Sequence, residues 1–389
     1  MGETAESVNR PRSRWRIGLI GSFLALILIA AACGSDDESA EAGSGDGGDD
    51  AACEQLDEVT LQLQWFAQAQ FAGYYAALDE GLYEARCLDV TILEGGVDIV
   101  PQQQLGSGAA DYAIAWVPKA LVSRESGIDI VNVAQIFQRS GTLQVSFADA
   151  GVNAPADFAG RKIGSWGFGN EFEMLAGARA AGLQENADYE IVQQNFDMAA
   201  LLSGEIDAAQ AMIYNEYAQV LESINPDTGE LYTADDFTII DWNDVGTAML
   251  QDAIWADGTR LGDEAYDDQT TRFIAASIEG WAWCRDNPDT CVDVVLDNGP
   301  TLGTSHQTWQ LNEINALIWP SPGGAAVMDK ELWDQTIEIA TGEAVLAGAP
   351  DDDAYTTQYA EAAIDLLGDL DVNGSGFSKT TVELLEGGE

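Results

Sequence analysis

Three tryptophans, Trp65, Trp116 and Trp166, stand where predicted strands end. Ligands of open α/β sheets bind beyond the carboxyl ends of the strands, and three tryptophans there exceed what a core asks for. Their chemistry is stacking on a flat ring, worth on the order of 1–3 kcal/mol per face when the ring resembles a nucleobase. Polar and aromatic groups share these stretches. Gln68, Gln70 and Tyr74 follow the first tryptophan; Phe168, Asn170 and Glu171 follow the third; Tyr214, Asn215 and Glu216 follow a further strand. This set suits a neutral or weakly basic ring, with Glu171 or Asn170 taking a hydrogen bond from an amino group, although simple helix capping accounts for that pair equally. Arg139 is the nearby cation that would suit an anion instead. Catalysis has little to work with. The single histidine, His306, reads as a surface or loop residue, so a Ser-His-Asp triad or a His-ligated zinc is not expected. No catalytic residue, metal ligand or cofactor is assigned. The glycine-rich GFGNEF at 167–172 fails as a dinucleotide fingerprint, because Phe172 holds its third glycine position and Glu171 and Glu173 would oppose a pyrophosphate.

The elements that must position these residues follow from periodicity. Strands are predicted over 59–65, 88–93, 111–116 and 130–137, alternating with helices over 71–82, 99–105 and 119–125. After Gly141 the rhythm restarts, with strands over 161–166, 189–196, 208–214 and 237–242 and helices over 170–181, 198–203 and 216–224. Such alternation predicts parallel sheets covered by helices. Beyond Trp255 the pattern is helical: 263–285, 292–296, 309–318, 330–339 and 359–367. An α/β protein of two lobes follows, with crossovers near 140–148 and 243–256 forming a hinge over a cleft. Residues 56–142 and 256–389 make lobe one, on which the helical tail packs, and residues 143–255 make lobe two.

With 389 residues, 46% of them hydrophobic, the chain can bury substantial cores. Its net charge of −50 repels phosphate backbones and argues against nucleic acid as a partner. Four arginines, Arg10, Arg12, Arg14 and Arg16, precede an apolar run over 17–32, the pattern of a secretory signal; an uncleaved membrane anchor is the alternative. Ala30-Ala31-Ala32-Cys33 resembles the lipobox of bacterial lipoproteins, which implies lipidation of Cys33 after removal of residues 1–32. Residues 33–55, rich in Gly, Ser and Asp, read as a flexible tether. Both readings place the folded part outside the cytoplasm, at the extracytoplasmic face of the cell membrane. There an even count of remaining cysteines predicts disulfides. Cys284 and Cys291 flank an Asn287-Pro288-Asp289 turn signal and pair first, leaving Cys53 for Cys87.

The segments QWFAQAQFAGYYAA (64–77), GLY (81–83), LDVTI (88–92), GSGAADY (106–112) and WGFGNEF (166–172) resemble the solute-binding lipoproteins of ABC importers related to thiamine-pyrimidine synthase. The likeness runs over residues 59–367, and its GSGAAD part is shared with sulfonate, nitrate and taurine binders. It implies the type II periplasmic-binding fold, a pyrimidine precursor of thiamine or another flat heterocycle such as riboflavin as ligand, and an ABC permease with its ATPase as partners. A monomer is expected. The fungal synthases of the group use a donor histidine and a cysteine-rich tract; Phe71 and VGTAMLQDAI (245–254) stand at those places, so an enzyme of that type is the weaker alternative. Riboflavin or a sulfonate as cargo is the other.

Overall fold

The computed structural model describes Cys53 and residues 55–389. The signal segment, Cys33 and nearly all of the predicted tether lie outside the described residues.

The first sheet has the order β2-β1-β3-β10-β4, from β1 (Asp57–Gln62), β2 (Leu88–Leu93), β3 (Tyr112–Trp116), β4 (Ile130–Gln135) and a late strand, β10 (Asp252–Asp257). The second contains β5 (Thr142–Phe147), β8 (Ala209–Met212) and β9 (Phe237–Asp241) in the order β8-β5-β9. Next to β8, β6 (Lys162–Ser165) and β7 (Glu190–Gln193) form a parallel pair, joined through the bridge of Ile163 to Ala208. Laid out this way the two halves mirror one another, β7-β6-β8-β5-β9 against β2-β1-β3-β10-β4. In each half the strand that enters from the other half, β5 or β10, runs antiparallel to its neighbours. The sheets are therefore mixed, where the strand–helix rhythm predicted parallel ones.

Helices connect and cover the strands: α1 (Ala72–Asp79), α2 (Pro101–Gly106) and α3 (Val117–Glu125) in the first half; α4 (Phe172–Ala180), α5 (Ala199–Leu202), α6 (Glu216–Leu221) and α7 (Trp242–Val245) in the second. The tail forms α8 (Glu264–Asp286), α9 (Pro288–Asn298), α10 (Thr304–Ile318), α11 (Lys330–Gly342) and α12 (Gln358–Leu367). Helices α1 and α8 cross almost backbone to backbone. A Cβ on Gly280 would stand 2.1 Å from the Gly73 carbonyl oxygen, so no larger residue fits that crossing without a shift.

Two expectations change. Residues 142–147 lie within one stretch read as a crossover and residues 252–257 overlap the other, yet each is a buried central strand. Because β10 belongs to the first sheet, a lobe boundary at residue 255 cuts through it, and the return crossing comes before Asp252. The tail also reaches further than lobe one. His306, far from a loop, sits in α10 with its ring nitrogens 2.8 Å from Glu222 and 2.9 Å from Asn215, and Trp309 Nε1 donates to the Ile213 carbonyl. Both expected disulfides, Cys53–Cys87 and Cys284–Cys291, are formed. Asn287 alone separates α8 from α9, whose first residue is Pro288, and this brings the second pair together.

Candidate functional site

The first wall of the cleft is built at the carboxyl ends of β1 and β3. Gln64 and Trp65 follow β1, and Trp116 is the last residue of β3. Since β10 runs the other way, its first residue arrives at this same end, and Asp252 lies opposite Trp116 in register. Only 2% exposed, the Asp252 carboxylate accepts hydrogen bonds from Gln64 Nε2 at 2.7 Å, Trp116 Nε1 at 2.8 Å and Gln70 Nε2 at 2.9 Å. Gln70 in turn accepts from Gln68 Nε2 at 2.6 Å. Burial pushes the Asp252 carboxyl up to about 6, with its three donors and Lys119 opposing the shift. Lys119, in the first turn of α3, holds its ammonium 4.7 Å from the Trp116 ring centroid and donates across the cleft to Asn170 Oδ1 at 2.8 Å. Burial lowers its pKa to about 8.

The second wall begins where β6 ends. Gly167, Phe168 and Gly169 all take positive φ, so the chain makes a left-handed turn that two glycines accept and Phe168 does not favour. Phe168 is left 82% exposed at the cleft mouth. Gln210, on β8, accepts from Trp166 N at 3.1 Å and from Ser165 Oγ at 2.9 Å, and donates to the Asn170 carbonyl, which fixes the turn. Trp166 is 3% exposed, and its buried Nε1 has no hydrogen-bond partner among the described residues. Phe196, beyond β7, stacks on Trp166 with centroids 6.0 Å apart and meets Trp65 of the first wall at 5.0 Å. Beyond β8, Glu216 accepts from Met212 N and from Asn215 Nδ2, both at 2.9 Å, and burial raises its pKa.

These walls enclose a cavity of about 720 Å³, within the range of roughly 300–1,000 Å³ usual for small-molecule sites. Of the residues singled out from sequence, Trp65, Gln68, Gln70 and Trp116 line it from the first half. Trp166, Phe168, Asn170, Tyr214, Asn215 and Glu216 line it from the second. Three others do not. Tyr74 packs edge-on against Trp281 in the core, because the face of α1 that carries it turns to α8 rather than to the cleft. Arg139 donates to the carbonyls of Ala316, Leu317 and Pro320, tying down the end of α10. Glu171 accepts from the Gly169 amide at 3.0 Å, serving the turn itself. Sequence reasoning missed Asp252 and Lys119, with Gln64, Phe172 and Phe196. For Lys119 a signal existed: one of only 16 basic residues, placed three positions after a strand-end tryptophan. Asp252 gave none, since its strand was not recognised.

The chain is 26% identical over 286 residues to the formylaminopyrimidine-binding protein of Halalkalibacterium halodurans, covering 71% of this chain and 78% of that protein. It is also 26% identical over 322 residues to the riboflavin-binding protein RibY of Chloroflexus aurantiacus, covering 78% and 86% respectively. Among solved structures, the periplasmic aliphatic sulphonate binding protein SsuA of Escherichia coli superposes with a TM-score of 0.58 at 15% identity, over 84% of this chain and 94% of that one. That likeness establishes the type II periplasmic-binding fold with its two mirrored sheets. A family profile described as NMT1/THI5 like matches residues 68–291, more than half of the sequence and most of both walls of the cavity, and the chain belongs to the NMT1/THI5-like family.

Proposed function

We propose that this protein is the extracytoplasmic solute-binding component of an ABC importer. It is held to the membrane by lipid on Cys33, captures a flat heterocycle between its two walls, and passes it unchanged to a permease and its ATPase. The ligand in this reading is a pyrimidine precursor of thiamine. Trp166 carries the argument. Its ring lines the cavity and stacks on Phe196, so a flat ring entering there meets an aromatic face of the second wall. The name of the Halalkalibacterium relative supports a pyrimidine. Binding is favoured over synthase chemistry because Phe71, where the synthases carry their donor histidine, is fully buried in the core under the first sheet.

Titration of the full chain with 4-amino-5-hydroxymethyl-2-methylpyrimidine, or its formylamino precursor, in a calorimeter tests the reading. One-to-one binding that weakens at least about tenfold in Trp166→Ala is expected, from the loss of one stacking face. No heat with any such pyrimidine would overturn the choice of ligand. Riboflavin is the second reading, favoured by the size of the cavity and by its apolar mouth, where Val97, Val100 and Phe168 are exposed. A yellow preparation would select it. A sulfonate would have to meet Lys119, since Arg139 is engaged elsewhere.

A further inference from the structure

We propose that Asp252, without touching the ligand, is the positioning residue that decides which hydrogen-bonding groups the first wall offers, and so selects ligands that present an N–H donor there. The inference rests on the ligand-binding reading above. A carboxylate only accepts hydrogen bonds, whereas each glutamine amide has one accepting and one donating end. Gln70 must therefore point its Nε2 at Asp252, which leaves its Oε1 for Gln68 Nε2. Gln68 has then turned its NH2 end to Gln70, and its Oε1, which no donor among the described residues engages, is the end left for the cavity that Gln68 lines. Gln64 is turned the same way, with its Nε2 on Asp252. Trp116 has likewise given its only donor to Asp252 and offers the ligand an aromatic face alone. The glutamines of the first wall thus turn acceptors to the cavity, beside the Lys119 ammonium, which is engaged with Asn170 Oδ1. A ring with an exocyclic amino group satisfies Gln68; a 4-oxo ring meets Gln68 oxygen to oxygen.

Replacing the carboxylate by its amide makes the inference testable. In Asp252→Asn the oxygen stays with Gln64 and Trp116, which supply two donors, and the new NH2 faces Gln70. Gln70 must then turn over, Gln68 with it, and a donor replaces the acceptor at the cavity. Affinities of 4-amino-5-hydroxymethyl-2-methylpyrimidine and its 4-oxo analogue are measured by calorimetry on the full chain, with melting curves as the check on folding. The native protein is expected to prefer the amino compound at least about tenfold, the worth of one hydrogen bond exchanged for a clash, and Asp252→Asn to lose or invert that preference. If Asp252→Asn fails to fold, Gln68→Met removes the acceptor directly and is expected to bring the ratio near one. A native ratio retained in the folded variant overturns the inference and leaves the function standing. A native protein that binds neither compound overturns the functional reading itself, and the inference with it.

Discussion

At the scale of single residues, the site is a division of labour between faces and edges. Trp65, Trp116 and Trp166 all reach the cavity, but their indole N–H groups differ: Trp116 Nε1 is consumed by Asp252 and Trp166 Nε1 is unpaired. Substituting Trp166 by Phe keeps a stacking face and deletes the donor. Because that buried N–H exposes no surface to the cavity, a loss smaller than for Trp166→Ala is expected, and calorimetry on the two variants separates stacking from hydrogen bonding. Tyr74 makes the opposite case. Its buried hydroxyl has no hydrogen-bond partner among the described residues, so Tyr74→Phe should leave ligand affinity unchanged and hold or raise the melting temperature. Lower affinity in Tyr74→Phe would return that residue to the site. The sequence marks tryptophans at strand ends well, because stacking residues are large and few. It cannot say which way an indole edge points, since that depends on Asp252, more than 100 positions away from Trp116 in the chain.

At the scale of elements, the helix pair α1 and α8 supports the first wall from beneath. Their approach at Gly73 and Gly280 is closer than any side chain allows: a Cβ on Gly73 would fall 2.2 Å from the Trp281 ring. Gly280→Ala is expected to cost about 1–3 kcal/mol of stability, or more if the helices cannot part, read from urea unfolding. An unchanged midpoint would show that the crossing gives way freely. Most helices and strands were readable from periodicity, and β2 spans the residues expected of it, 88–93. The two crossing strands were not recognised. The buried run in β10, Asp252-Ala-Ile-Trp-Ala-Asp257, has no alternation, and a short apolar run of that kind is equally consistent with strand or helix until its neighbours are known.

At the scale of the whole molecule, the passages between the halves are tied to one another. Gln251 donates to Ser140 Oγ at 3.0 Å and Thr142 Oγ1 at 2.7 Å and accepts from Gly141 N at 2.9 Å. Glu173 of α4 lies against this junction and accepts from Met249 N at 2.6 Å. Burial raises its carboxyl to about 8, with the Met249 amide and the Ser140 and Thr142 hydroxyls opposing the shift. A folded-state value above the ordinary carboxyl range means that the native state holds its proton more tightly than the unfolded chain does. Stability from this group is full in acid and declines as pH rises through the window up to about 8. Melting temperatures of the native protein should therefore fall between pH 6 and 9 more steeply than those of Glu173→Gln, which copies the protonated form. Parallel slopes would show that Glu173 does not govern this region.

What the sequence by itself determined is what local pattern encodes: an α/β chain in two halves, aromatic strand ends, the turn between Cys284 and Cys291, and a resemblance broad enough to imply the fold. What only the tertiary structure decided is which side chains share a space and which way they face. Arg139 and Tyr74 lie near the right elements yet turn to α10 and α8, whereas Asp252 and Lys119 become central because an antiparallel strand and a helix start converge on the end of β3. Periodicity repeats over a few residues and so reports a face. The direction of a buried hydrogen bond is set by partners brought together only when the chain folds back on itself.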